Sequence, residues 1–421
     1  MVAPAPSYDP WTWLLWGREI ASGTLSTEAG PAFKPLPVAV CALLAPLGSA
    51  APVVWVVLAR AAALAAVALA FVLGRRLGGD RALPGVLAAA GVALCGAYPT
   101  YAAAGDVTGL FLALVLGGVL AWRAQRFELA LACGVACALL RVEAWPFALV
   151  GAALLWRRRP QDRPVLVAAA VVVPLVWFGP EWLGSGDPLR SGGRARVPNP
   201  GQPALADVPA LASLQAAAVL ALWPLLAGAG LLAWRERRRP SFAVGLVLAG
   251  VAWVALVAAM AQAGFSGEPR YALPGVALVA IGGAVGLAGA GPRSVGWGLA
   301  ALVAVAALPR VVELPRIGVA QAHQWQLSRD LERAVVTAGG RDAVLRCGTP
   351  YVGPFRGPLM AYRLRVAKHR VQPDRAPSAP GFVFRSRLTR RADLAPEAPA
   401  FALHARAGVW EVRARCRPPR S

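Results

Sequence analysis

Charge is scarce in this chain: of 421 residues only 15% are charged, against 57% hydrophobic. A soluble chain of this length needs far more charge to cover its surface, which excludes that class. Lysine is nearly absent, at Lys34 and Lys368 alone, so arginine carries the basic character. His323, His369 and His404 are too scattered for a metal cluster. No Cys-x-x-Cys pair or glycine-rich phosphate loop occurs, so zinc ribbons and nucleotide folds lack support. The formal charge of +22 does not call for a nucleic-acid partner, because the arginines have a topological explanation.

Long apolar blocks are what the chain does have, such as 51–73 and 242–263. Each can cross a hydrocarbon core of roughly 30 Å, which needs about 20 residues. Blocks of this kind near 52–74, 83–98, 107–122, 127–140, 144–156, 164–180, 210–234, 241–263, 272–290 and 295–308 predict an α-helical polytopic membrane protein of about ten spans. Arginines follow every second span: Arg75, Arg76 and Arg81; Arg123 and Arg126; Arg157, Arg158, Arg159 and Arg163; Arg235, Arg237, Arg238 and Arg239; and Arg293. Short basic connections mark the cytoplasmic side. The alternate connections are then outside, as are residues 1–50 and everything beyond Pro309. Because the polar start must be exported, one more span upstream of Met1 fits this arrangement.

Three regions are expected: an extracytoplasmic loop with interfacial helices (1–50), a transmembrane bundle (51–308) and a small extracytoplasmic α/β domain (309–421). In the last, Val319 to Ala338 reads as a helix ended by Gly339-Gly340, Ala343 to Cys347 as a buried strand, Gly348 to Gly357 as a loop and Pro358 to Ala367 as a helix. Gly381 to Arg387, Ala400 to Arg406 and Val409 to Cys416 read as strands, the last two as a hairpin around Gly408. Cys347 and Cys416 are expected to form a disulfide between the first and last strands in an exported domain.

The N-terminal loop places Asp9-Pro10 at a helix start, Asp9 as cap, with Trp11, Trp13 and Trp16 suited to the membrane–water boundary. Pro35 to Leu47 is too short to span and reads as interfacial. Tyr8-Asp9, Trp16-Gly17-Arg18-Glu19 and Lys34-Pro35-Leu36-Pro37 here resemble the GT-C superfamily of membrane glycosyltransferases, most of all its actinobacterial-type members. Similar patches are Leu140 to Trp145, Gly184 to Leu189 and Glu268 to Pro274. The resemblance implies a multi-span bundle, a polyprenyl-phosphate sugar as donor, and an essential acid in the first outer loop.

Sugar transfer from a lipid phosphate needs a base for the acceptor proton, cations for the departing phosphate and a slot for the lipid tail. Asp9 is the candidate base and Asp106 a second acid, each with helix capping as its plainer role. Candidates to hold substrate or lipid phosphate are Lys34, Arg60, Arg141, Glu143, Arg190, Arg194, Arg270 and Tyr271. Arg60 lies within an apolar span, where charge is costly and often functional. Arg141 and Glu143 are placed to neutralise each other, and Glu19 to pair with Arg18 or Lys34. The residues identify no cofactor beyond the polyprenyl-phosphate sugar donor that the resemblance implies, and they leave a divalent metal open. The expected function is transfer of a sugar to a glycan, lipid or protein acceptor at the outer face of the plasma membrane. The competing readings are a flippase of lipid-linked sugars and a non-catalytic envelope-assembly protein.

Overall fold

In lipid, a backbone can satisfy its polar groups only within its own turns, so long Ala-, Leu- and Val-rich runs coil into helices. The computed structural model describes residues 2–373 and 376–416. Its first helices are α1 (Tyr8–Ala21), α2 (Pro35–Leu44), α3 (Ala51–Leu77), α4 (Ala82–Ala93), α5 (Tyr98–Ala103) and α6 (Thr108–Arg123). There follow α7 (Phe127–Ala138), α8 (Trp145–Arg158), α9 (Arg163–Ser185), α10 (Arg190–Ala195), α11 (Pro209–Leu220) and α12 (Trp223–Arg235). The bundle closes with α13 (Phe242–Gln262), α14 (Pro269–Ala288) and α15 (Arg293–Thr337). Among the described residues, five helical segments are long and apolar enough to cross a membrane, or up to six if the bent pair α11 and α12 is one span. Helices α4, α6 and α7 are apolar but shorter.

Two expected spans take a different form. The block 210–234 bends by 102° between α11 and α12. Pro224 has no N–H to give the carbonyl of Leu220, which instead accepts from Gly96 N at 2.8 Å. The block 295–308 is the first part of a helix that runs on without a break through Pro309 and Pro315 to Thr337, so the boundary expected near 309 falls inside α15.

The C-terminal segment adds α16 (Gly340–Cys347), β1 (Thr349–Val352), α17 (Gly357–Leu364), β2 (Gly381–Arg387), β3 (Leu394–Ala395), β4 (Ala402–Ala407) and β5 (Trp410–Arg415). The sheet order is β1-β2-β5-β4, with β1 parallel to β2, the other neighbours antiparallel, and β3 against the end of β2. The segment expected as a first strand, Ala343 to Cys347, is helical. A short apolar run fits either period. Gly339 and Gly340, at φ 90° and 84°, turn the chain from α15 straight into a new helix. The strand comes after Gly348, inside the stretch expected to be loop. Cys347 and Cys416 are joined by a disulfide, which ties the end of α16 to the segment after β5.

Helix α14 is buried almost throughout, packed between α12 and α13. Small residues allow this: a Cβ on Gly283 would sit 1.9 Å from the carbonyl oxygen of Leu225, and one on Gly275 2.6 Å from that of Gly250. Gly283→Ala should therefore lower stability by about 1–3 kcal/mol through overpacking. Gly245→Ala on α13, where a Cβ meets nothing within 4 Å, should not. Thermal unfolding of the two variants in detergent checks the contrast.

Candidate active site

Helix α1 begins at Tyr8, and Ser7 holds the cap position in extended conformation. Asp9 is therefore in the first turn rather than at the cap. Trp13 and Trp16 are fully buried and Trp11 nearly so, in one cluster with Phe33, Trp55 and Val56. These rings fill a core between α1, α2 and α3 instead of lying at a lipid boundary.

Asp9 and Asp106 meet at one cation. Arg270, in the first turn of α14, has Nη2 3.0 Å from Asp9 Oδ2, Nη1 3.0 Å from Asp106 Oδ2, and Nε 3.4 Å from Glu268 Oε2. The guanidinium expected to meet phosphate is thus surrounded by three carboxylates. Asp106 is the more confined acid. Its Oδ1 accepts from Thr108 N at 2.8 Å and from Thr108 Oγ1 at 2.5 Å, one residue ahead of the α6 cap position, which is Val107. Asp9 Oδ1 has no hydrogen-bond partner among the described residues, and the Asp9 side chain keeps 11% exposure against 2% for Asp106. Burial pushes the Asp106 carboxyl up, but the charges of Arg270, Lys34 and Arg141 and the Thr108 hydroxyl outweigh it and hold Asp106 below its ordinary value.

Beside this cluster lie two buried cations with unused donors. Lys34 Nζ has no hydrogen-bond partner among the described residues and stands 5.5 Å from the ring of Trp13. Burial, reinforced by Arg270 and Arg141, pushes Lys34 down to about 8. Arg141 donates from Nη2 to Thr108 Oγ1 at 3.1 Å, while its Nε and Nη1 have no partner among the described residues. Its guanidinium sits over Tyr271 at 5.0 Å and Phe111 at 5.4 Å. Glu143 is buried nearby but makes no ion pair with Arg141 among the described residues, so the expected mutual neutralisation is absent. Lys34, Arg141, Glu143 and Tyr271 line a cavity of about 260 Å³, roofed by Leu189, Ser191 and Ala195. Trp145 is shared with a larger apolar cavity of about 460 Å³ between α6, α7, α8, α9 and α13.

Three candidates lie apart from this group. Arg60 directs its guanidinium to the carbonyls of Val2, Ala3 and Ala103, clamping the start of the chain to the end of α5. Arg190 is held by fully buried Glu181, at 2.8 Å and 3.1 Å, and by the Pro31 carbonyl. Arg194 bonds the Val197 carbonyl. Sequence reasoning passed over Glu268, Thr108 and Glu181. Glu268 was legible as the acid two residues before Arg270; Thr108 and Glu181 carry no local signal.

The other residues of the Trp16-Gly17-Arg18-Glu19 patch hold α1 in place. Arg18 donates to the Tyr362 carbonyl at 2.8 Å, not to Glu19. Glu19 accepts from Ser26 N at 3.2 Å, and burial raises it from 4.5 to about 7. Its folded state therefore favours the proton. That contribution is complete below about pH 4.5 and is lost as pH rises toward about 7. Glu19→Gln should remove a fall in stability on the order of 1–2 kcal/mol across that window, after allowing for partial solvent screening. Melting temperatures of wild type and variant at the two ends of the window measure it.

Fold and site together define a multi-pass membrane protein with a buried charged centre beneath a small α/β domain. No protein-family profile matches the chain, and no curated protein matches its sequence. Among solved structures it is similar to ArnT from Cupriavidus metallidurans bound to undecaprenyl phosphate, with a TM-score of 0.53 and 15% identity over 98% of this chain and 95% of that one. The apo form of the same protein matches with a TM-score of 0.53 and 15% identity, over 96% and 93%. At this identity the likeness establishes a shared fold.

Proposed function

We propose that the chain is a GT-C type glycosyltransferase that moves a sugar, with inversion, from a polyprenyl-phosphate carrier to a cell-envelope glycan, lipid or protein acceptor outside the cytoplasm. The observation that carries this reading is the pair of buried cations, Lys34 and Arg141, with unpartnered donors facing a cavity that adjoins an apolar one. Unpaired buried charge is costly and calls for an anion. A phosphate in the first cavity and a polyprenyl tail in the second match both chemistries, and ArnT, which shares the fold, has been crystallised with undecaprenyl phosphate.

In this reading Asp9 is the base. Its free Oδ1 takes the proton of the acceptor hydroxyl as that oxygen bonds the anomeric carbon. The bond from that carbon to the phosphate oxygen breaks, and its electron pair leaves with the phosphate. Lys34 and Arg141 stabilise the charge that develops there. Asp106, with both oxygens engaged, fixes Arg270, and Arg270 in turn aims Asp9. Residues 1–50 and the C-terminal domain lie outside, across the bilayer from Arg157.

The 102° bend between α11 and α12 is the feature that favours the second reading, a flippase, because broken helices recur in transporters. Translocation of a lipid-linked sugar in proteoliposomes without transfer would support it.

Asp9→Asn should lower transfer by at least about 10²-fold while undecaprenyl phosphate still binds. Full transfer by that variant would remove Asp9 from the mechanism. Phosphate affinity should fall as pH rises through about 8, where Lys34 loses its proton, and Lys34→Gln should weaken binding and abolish the pH dependence. Equilibrium binding of undecaprenyl phosphate in detergent reads both.

A further inference from the structure

Helix α1 is held from two sides. Residues three and seven apart share a helix face, while residues two apart lie on opposite faces. Tyr8, Trp11 and Arg18 thus form one face, and Asp9 belongs to the other. The Asp9 face meets Arg270. The opposite face meets the C-terminal domain at three points. The Tyr8 and Phe355 rings stand edge to face at 6.1 Å, Trp11 packs on Tyr362 at 5.3 Å, and Arg18 lies over the Tyr362 ring at 4.6 Å while bonding its carbonyl. Tyr362 Oη also donates to the Gly48 carbonyl at 3.3 Å. Beyond the helix, His369 Nδ1 is 3.1 Å from Ser26 Oγ and 3.6 Å from Glu28 Oε2. On the bundle side Gly17 brings the α1 backbone against α2, where a Cβ would lie 2.5 Å from the Cys41 carbonyl carbon.

We infer that Arg18 and Tyr362 are positioning residues for sugar transfer: α17 of the C-terminal domain clamps α1 so that Asp9 is held at its working distance. This rests on the assignment of Asp9 as base. Arg18 lies nine residues from Asp9, roughly 13 Å along the axis at 1.5 Å per residue. A tilt of about 5° about the Arg18 end moves Asp9 by about 1 Å, and a misplacement of that size can cost about 10²-fold in rate. The C-terminal domain then acts through the helix it grips, and Arg18 of the Trp-Gly-Arg-Glu patch acquires a role that phosphate binding and proton transfer leave unassigned.

The test uses the full-length protein in detergent and in proteoliposomes, with a radiolabelled undecaprenyl-phosphate sugar as donor. Arg18→Ala and Tyr362→Ala should lower kcat about 10- to 100-fold, with donor KM and undecaprenyl phosphate affinity changed less than about 2-fold. Arg18→Lys should recover part of the loss and Tyr362→Phe nearly all of it. Hydrogen exchange of the α1 amides should rise in both alanine variants while exchange in α13 and α14 stays constant. Unchanged kcat in Arg18→Ala and Tyr362→Ala, with Asp9→Asn inactive, would overturn the positioning role and leave the enzyme assignment standing. Full activity in Asp9→Asn would instead overturn the assignment of Asp9. Unchanged α1 exchange in Arg18→Ala would overturn the clamp independently of any activity. Should the alanine variants fail to fold, an Arg18→Lys protein with lowered kcat and faster α1 exchange supports the role, and one with wild-type kcat despite faster exchange refutes it.

Discussion

The structure turns on how three carboxylates are gathered around one guanidinium at one end of a helical bundle. Burying an ionised carboxylate without a partner is prohibitive, and burying three close together is worse. Arg270 answers this with one planar guanidinium offering several donors in fixed directions. It also gathers three stretches of chain: the first turn of α1, the lead into α6 and the start of α14 with its cap residue Glu268. Lys34 Nζ and the Nε and Nη1 of Arg141 are left without a hydrogen-bond partner among the described residues. Division of labour follows: one arginine serves the fold's own acids, and two neighbouring cations remain open.

The membrane class was legible because it rests on composition and block length, which need no tertiary information. The meeting of Asp9, Asp106 and Arg270 was only half legible. Each was identifiable as costly charge beside an apolar block, but nothing local to Arg270 says that carboxylates from residues 9 and 106 arrive there rather than a phosphate. Arg60 shows the converse. A guanidinium within an apolar helix looks functional, yet here it satisfies carbonyls of Val2, Ala3 and Ala103. The Ala343 to Cys347 run was ambiguous because four or five apolar residues fit either period, and two positive-φ glycines ahead of it decided for helix.

Burial patterns divide the helices by solvent. Helix α14 is enclosed by protein through glycine contacts, whereas the sides of α9 and α15 present Val, Leu and Trp outward, as lipid-facing helices do. The C-terminal sheet packs Phe382, Phe384 and Trp410 into the same apolar cluster as the tryptophans of α1, with Trp410 Nε1 bonded to the Leu327 carbonyl on α15. Because α15 is one unbroken helix from bundle to sheet, the domain rests on a stiff support as well as on α1.

Arg18 and the carbonyl it binds are 344 residues apart in the chain. Ribosomes make the helix bearing Asp9 long before they make the residue that supports it. A nascent polypeptide halted after Arg270 but before Tyr362 would already carry both Asp9 and Arg270, yet lack the wall behind them. Support for the Asp9 helix is thereby deferred until Tyr362 has been made, and products terminated before it are left without that support.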